Sequence, residues 1–200
     1  MGAEKRKREK IAVIFPGVGY HKDKPLLYYG KKLAMEAGCQ IMDVLYGGFS
    51  GNIKGSREKM EAAFFSARAQ TEEILKTIDF GKYENVLFIS KSIGTIVAAE
   101  YAKSHNIDTE HIYFTPLEDT FRFVREGKGI AFHGTKDPWA DTEKVEMLSC
   151  RKGIPLFKTE DANHSLETGS VWKDIENLSK IMGICREYLI SAGIDEESGK

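Results

Sequence analysis

Four short, unbroken apolar runs constrain this chain more than any other feature: Ile11 to Phe15, Val86 to Ile89, Ile112 to Phe114 and Ile130 to Phe132. A strand with one wet face alternates apolar and polar residues. An unbroken run of this length predicts a strand covered on both faces, as in a parallel sheet. Two weaker runs extend the series. Ile41 to Tyr46 stops at Gly47-Gly48, and Ile154 to Phe157 carries Pro155 near its start, which suits an edge strand.

Helical spacing fills the gaps between the runs. Asp23 is the expected cap of a first helix with Pro25 in its first turn, and Gly38 ends it in the left-handed conformation. Met60, Ala63, Phe64, Ala67, Ile74, Leu75 and Ile78 keep a 3.6-residue period after Ser56. Ala98, Ala99 and Ala102 mark a small-residue helix after the third run, and Glu143 to Arg151 a short one later. Val171, Ile175, Leu178, Met182, Cys185 and Leu189 predict a long final helix. Strands alternating with helices predict a single three-layer α/β/α domain around a mostly parallel sheet of about six strands. Its expected limits are 11–194, with a polar arm at 1–10 and a polar tail at 195–200.

Composition narrows the function. In 200 residues, 29 Lys and Arg balance 30 Asp and Glu, which gives no electrostatic footprint for nucleic acid. No apolar stretch approaches the ~18 residues that would cross a membrane. Lys5, Arg6, Lys7, Arg8 and Lys10 read first as a solvated terminus, with a nuclear signal or an anion-binding arm as alternatives. Cys39, Cys150 and Cys185 are odd in number and widely spaced, so a reducing cytoplasm is expected. No His/Cys/Asp cluster has metal-ligand spacing, so neither a metal nor another cofactor is expected. An oligomer is compatible with all of this.

In open parallel sheets, ligands bind beyond the carboxyl ends of the strands. The residues after each run are therefore the ones to read for chemistry. Ser90-Lys91-Ser92-Ile93-Gly94 follows the third run and matches the nucleophile-elbow pattern G-x-S-x-G, with Ser90 in place of the first Gly. A sharp strand-to-helix turn there holds Ser92 Oγ out and sets the Ile93 amide at a helix N-terminus, where it can donate to an oxyanion. His133-Gly134-Thr135-Lys136-Asp137-Pro138-Trp139 follows the fifth run, and Glu160-Asp161-Ala162-Asn163-His164-Ser165 follows the sixth. Ser92, Asp137 and His164 thus end three different strands. Serine needs a base to take its proton, and the base needs a carboxylate to fix its tautomer. Asp161 is the rival acid.

The order Ser, acid, His, together with the order of strands and helices, resembles the α/β-hydrolase superfamily over nearly the whole chain. Gly134-Thr135-Lys136-Asp137 and Asn163-His164-Ser165-Leu166 resemble its small dienelactone-hydrolase-like branch. The resemblance implies that Phe15-Pro16-Gly17-Val18-Gly19 supplies a second oxyanion amide, at Val18. It also implies a trimmed sheet, without the family's first two strands and without a large cap between Pro116 and Gly127. The expected activity is a serine hydrolase cleaving a small carboxylic ester or thioester through an acyl-enzyme. An acyltransferase or peptidase of the same fold, or a non-catalytic binding scaffold, are the alternatives.

Other residues near these sites carry two readings each. Tyr20, Trp139 and Trp172 wall an acyl pocket or simply pack. His21 lies beside the expected oxyanion loop and is the leading further candidate to bind substrate. Lys91 points into the site to attract an anion or is an exposed elbow lysine. His133 is structural at the strand end or lines the pocket, and His105 and His111 read as solvated residues flanking a turn. The expected site is shallow and open.

Overall fold

The computed structural model describes residues 9–49 and 56–195. The basic residues Lys5 to Arg8 and the tail from 196 lie outside the described residues. In chain order the strands are β1 (Lys10–Phe15), β2 (Gln40–Asp43), β3 (Asn85–Lys91), β4 (Glu110–Phe114), β5 (Ile130–Gly134) and β6 (Leu156–Thr159). The α-helices are α1 (Pro25–Glu36), α2 (Arg57–Leu75), α3 (Ile93–Ser104), α4 (Thr142–Arg151) and α5 (Val171–Ser191). The six strands form one sheet in the order β2-β1-β3-β4-β5-β6, and every pairing is parallel.

Side-chain alternation explains the unbroken runs. Ala12 and Ile14 of β1, with Leu87 and Ile89 of β3, pack toward α1 and α5. Ile11, Val13 and Phe15, with Val86 and Phe88, pack toward α2 and α3. Tyr113 and Ala131 share that second layer with Val145 of α4. Both faces of the four central strands are covered, so both sets of alternating positions there are mostly apolar.

Several sequence expectations shift. Lys10, placed in the arm, opens β1, and its ammonium donates to the carbonyl of Ile194 at 2.6 Å. The second strand is shorter than expected, because its pairing with β1 ends at Asp43. Lys24, not Asp23, is the residue before α1, and it makes no side-chain cap. Gly38 does take positive φ, at 83°. His111 is not solvated: it is a β4 residue only 3% exposed, stacked on Tyr113 with centroids 4.8 Å apart. Between Pro116 and Gly127, where no large cap is expected, Glu118–Arg122 forms a short 3-10 helix that packs on α3. Among the described residues no helix is long and apolar enough to cross a membrane.

From β1 the chain moves outward to β2, then returns to the other side of β1 as β3. That reversal opens a crevice at the carboxyl ends of β1 and β3, the position where such sheets bind ligands.

Candidate active site

The turn from β3 into α3 is held by close approach. Ser92 adopts φ 57° and ψ −126°, a strained conformation for a non-glycine residue. Its amide donates to the Phe114 carbonyl at 3.0 Å. A Cβ on Gly94 would stand 2.5 Å from the carbonyl oxygens of both Phe15 and Pro16, so only glycine lets α3 start this near the loop after β1. Ser90, at the position where the elbow pattern has glycine, is fully buried and directs its hydroxyl to the Ile112 carbonyl at 3.4 Å. The departure from the pattern is thus absorbed by β4.

Ser92, His164 and Asp137 form one hydrogen-bonded chain. Ser92 Oγ lies 2.7 Å from His164 Nε2, and His164 Nδ1 lies 2.7 Å from Asp137 Oδ2. The Asp137 side chain is wholly buried, and its Oδ1 accepts the Trp139 amide at 2.9 Å. The Trp139 ring stacks on His164, with centroids 5.5 Å apart. The rival, Asp161, is exposed and paired with Lys136 at 2.9 Å, which holds its carboxyl below the usual range.

The His164 loop is fixed from within and from below. Asn163 Oδ1 accepts the amides of Ser165, at 2.7 Å, and of Glu167, at 3.3 Å. At the end of β5, a Cβ on Gly134 would lie 2.4 Å from the Ala162 carbonyl, so the acid-bearing and histidine-bearing loops meet in direct contact. Burial is the main cause lowering the His164 pKa, aided by the positive charge of Lys91; the bond to Asp137 pulls the other way. The imidazole is therefore neutral at neutral pH and is able to accept a proton from Ser92.

Gly17 and Tyr20 pair their amides and carbonyls across the turn after β1, and Val18 sits at its exposed tip. The hydroxyl of Tyr46 donates to the Pro16 carbonyl and ties this turn down. Gly17 packs on the elbow: a Cβ there would stand 3.1 Å from Ser92 Cβ. The amide of Ile93, the first helical residue, has no acceptor within α3.

The remaining candidates separate. Tyr20 is buried and accepts the Leu26 amide on its hydroxyl at 3.1 Å. Lys91 is neither exposed nor open to an anion: it is fully buried, with Nζ 2.5 Å from Thr115 Oγ1 and 4.9 Å from the Tyr20 ring centroid. His21 turns outward, where its ring accepts the Asp23 amide at 3.3 Å. Trp172 is 77% exposed, so it is not packed into the core. His133 is buried against Thr142 at 3.0 Å, with its Nδ1 3.9 Å from Asp137. Thr115 and Glu167 escaped the sequence reading altogether. Neither belongs to a pattern, and both enter through loops. Among the described residues no group of three or more His, Cys, Asp or Glu side chains is arranged to hold a metal ion.

Six parallel strands, a strained serine between β3 and α3, and polar loops ending β5 and β6 define the α/β-hydrolase fold, and solved α/β hydrolases share it. Est1E from Butyrivibrio proteoclasticus, solved with ferulic acid bound, is 12% identical with a TM-score of 0.65, over 94% of this chain and 90% of its own. A lidless α/β serine hydrolase from Xanthomonas campestris is also 12% identical, with a TM-score of 0.60, over 94% and 85%. Thermogutta terrifontis esterase 2, phosphorylated by paraoxon, is 18% identical with a TM-score of 0.60, over 96% and 85%. No family model and no curated protein sequence matches the chain.

Proposed function

We propose that this protein is a serine hydrolase that cleaves a small carboxylic ester or thioester. The observation that carries the reading is the continuous chain from Ser92 Oγ through His164 to buried Asp137, with both links at 2.7 Å. In this reading His164 Nε2 takes the Ser92 proton as Oγ attacks the acyl carbon. Asp137 fixes the tautomer and stabilises the imidazolium. The amides of Ile93 and Val18 receive the tetrahedral oxyanion, each donor lowering the barrier by about 3 kcal/mol. The imidazolium then protonates the leaving alcohol or thiol. Water, activated by the same imidazole, releases the acid from Ser92. Every step uses side chains and amides of the chain itself.

A cavity of about 430 Å³ beside the elbow supports a small apolar acyl or aryl group. Ile93, Ile96, Phe64 and Leu117 line it, while Arg68 with Glu100 and Arg122 with Asp119 close its rim as neutral pairs. The neighbours named as an esterase and as a serine hydrolase lend weight to the same class. The test is incubation with a fluorophosphonate probe and a short-chain aryl ester. The reading expects turnover and a phosphonyl adduct on Ser92, both abolished in Ser92→Ala. Turnover surviving in that variant overturns the mechanism, and neither turnover nor adduct in the wild-type protein overturns the class.

A further inference from the structure

Lys91 is an unexpected occupant of its position. Strand alternation carries it to the face of Leu87 and Ile89, the dry layer beneath α1 and α5. It is wholly buried there, and among the described residues its ammonium makes one hydrogen bond, to Thr115 Oγ1 at 2.5 Å. The Tyr20 ring covers it at 4.9 Å. Burying a charge with so few partners is costly, and an apolar side chain of similar volume would fold at least as well. The groups around it follow four other strands: Tyr20 after β1, Thr115 after β4, Asp137 after β5, and His164 and Glu167 after β6. His133, at the end of β5, faces the same Asp137 and His164.

We propose that Lys91 is a positioning residue for the Ser92–His164–Asp137 chain, a buried ammonium that opposes a positive charge on His164 and keeps that imidazole free to accept a proton. The proposal rests on the hydrolase reading above and adds to it a charge that, beside burial, biases the state of the base. Asp137 contacts the imidazole and favours imidazolium, whereas the charge of Lys91, the last strand residue before Ser92, counters it. Glu167 and Asp137 in turn help Lys91 hold its proton against burial, which brings its pKa down to about 7. His164 titrates below its ordinary value, where Lys91 is mostly charged. The effect therefore acts in the range that matters to the base and fades as Lys91 itself deprotonates.

The test compares wild-type protein with Lys91→Met and Lys91→Gln. The second variant keeps a donor for Thr115 if the first fails to fold. The deciding readout is the titration of the His164 ring by NMR, which needs no substrate. Loss of the charge is expected to raise the His164 midpoint by about half a unit to one unit, the size of a charge–charge effect across several ångströms of protein interior. Melting temperature is expected to hold or rise. With a short-chain aryl ester, the acid limb of kcat/KM is expected to move up in step, with the profiles running parallel above about pH 8. An unmoved His164 midpoint overturns the proposal, whatever happens to stability or rate. A midpoint that moves in a protein that hydrolyses no ester leaves Lys91 in its electrostatic role and overturns the hydrolase reading instead.

Discussion

Gly94 and Phe15 approach so closely that a Cβ on the glycine would stand 2.5 Å from the Phe15 carbonyl oxygen. This contact locks the Ser92-bearing turn to the loop after β1, and so fixes Ser92 relative to Val18. Two backbones meet there, and neither can yield as a flexible side chain would. Gly94→Ala is expected to cost at least about 2 kcal/mol of stability, at the upper end of overpacking penalties, and to depress ester turnover in the fraction that folds. Among the described residues no heavy atom lies within 4 Å of where a Cβ on Gly47 would stand, and its φ is not positive, so Gly47→Ala is expected to be near neutral. Urea denaturation of the two variants checks the contrast.

The competition between two acids is decided by what each touches. Asp137 is buried on His164 Nδ1 at 2.7 Å, and Asp161 is solvated on Lys136. Asp137→Asn keeps the shape but presents a donor to the imidazole and reverses its tautomer, so kcat is expected to fall by roughly 10⁴-fold. Asp161→Asn loses only exposed pairs, to Lys136 and Lys173, and is expected to stay within about twofold of wild type. Steady-state kinetics on the two variants checks both expectations.

Much of this was legible in the chain because the physics behind it is local. Unbroken runs of apolar residues mean strands dry on both faces, and the order of Ser92, Asp137 and His164 along those strands brings them to one edge. Other features depend on packing that spacing does not encode. Lys91 stands one residue before Ser92, yet β3 continues through it, pairs it with Phe114, and so turns its side chain under the sheet. His21 follows Tyr20 directly, but the tight turn from Gly17 to Tyr20 ends before it and leaves the ring in water. His111 looked solvated because it is near a turn, whereas Thr109 and Glu110 already carry the chain into the core.

Trp139 lies flat against His164, and its amide is bonded to Asp137, so it braces both members of the pair. Trp139→Ala is expected to keep the backbone bond but lose the stacking surface, worth about 1 kcal/mol in such pairs. A tenfold drop in kcat/KM is expected, with most of it restored by Trp139→Phe. A full loss in both variants would instead place the role of this position in the loop backbone.

His111 provides a test of acid stability that is separate from the site. Its ring lies between Phe88 and Tyr113, its Nδ1 has no hydrogen-bond partner among the described residues, and burial pushes its pKa down to about 3. In the unfolded chain the same ring titrates near 6.5. Between those values the unfolded state binds the extra proton, so folding stability from this residue falls as pH drops below about 6.5. The slope approaches 1.4 kcal/mol per pH unit until the folded ring also protonates. His111→Phe removes that proton uptake and keeps an aromatic ring in the slot. Denaturation measured at pH 7 and at pH 5 should show the variant losing less stability over the interval than the wild-type protein, by on the order of 1–2 kcal/mol. Equal losses in the two proteins would mean that the buried ring is not what makes folding acid-sensitive in this range.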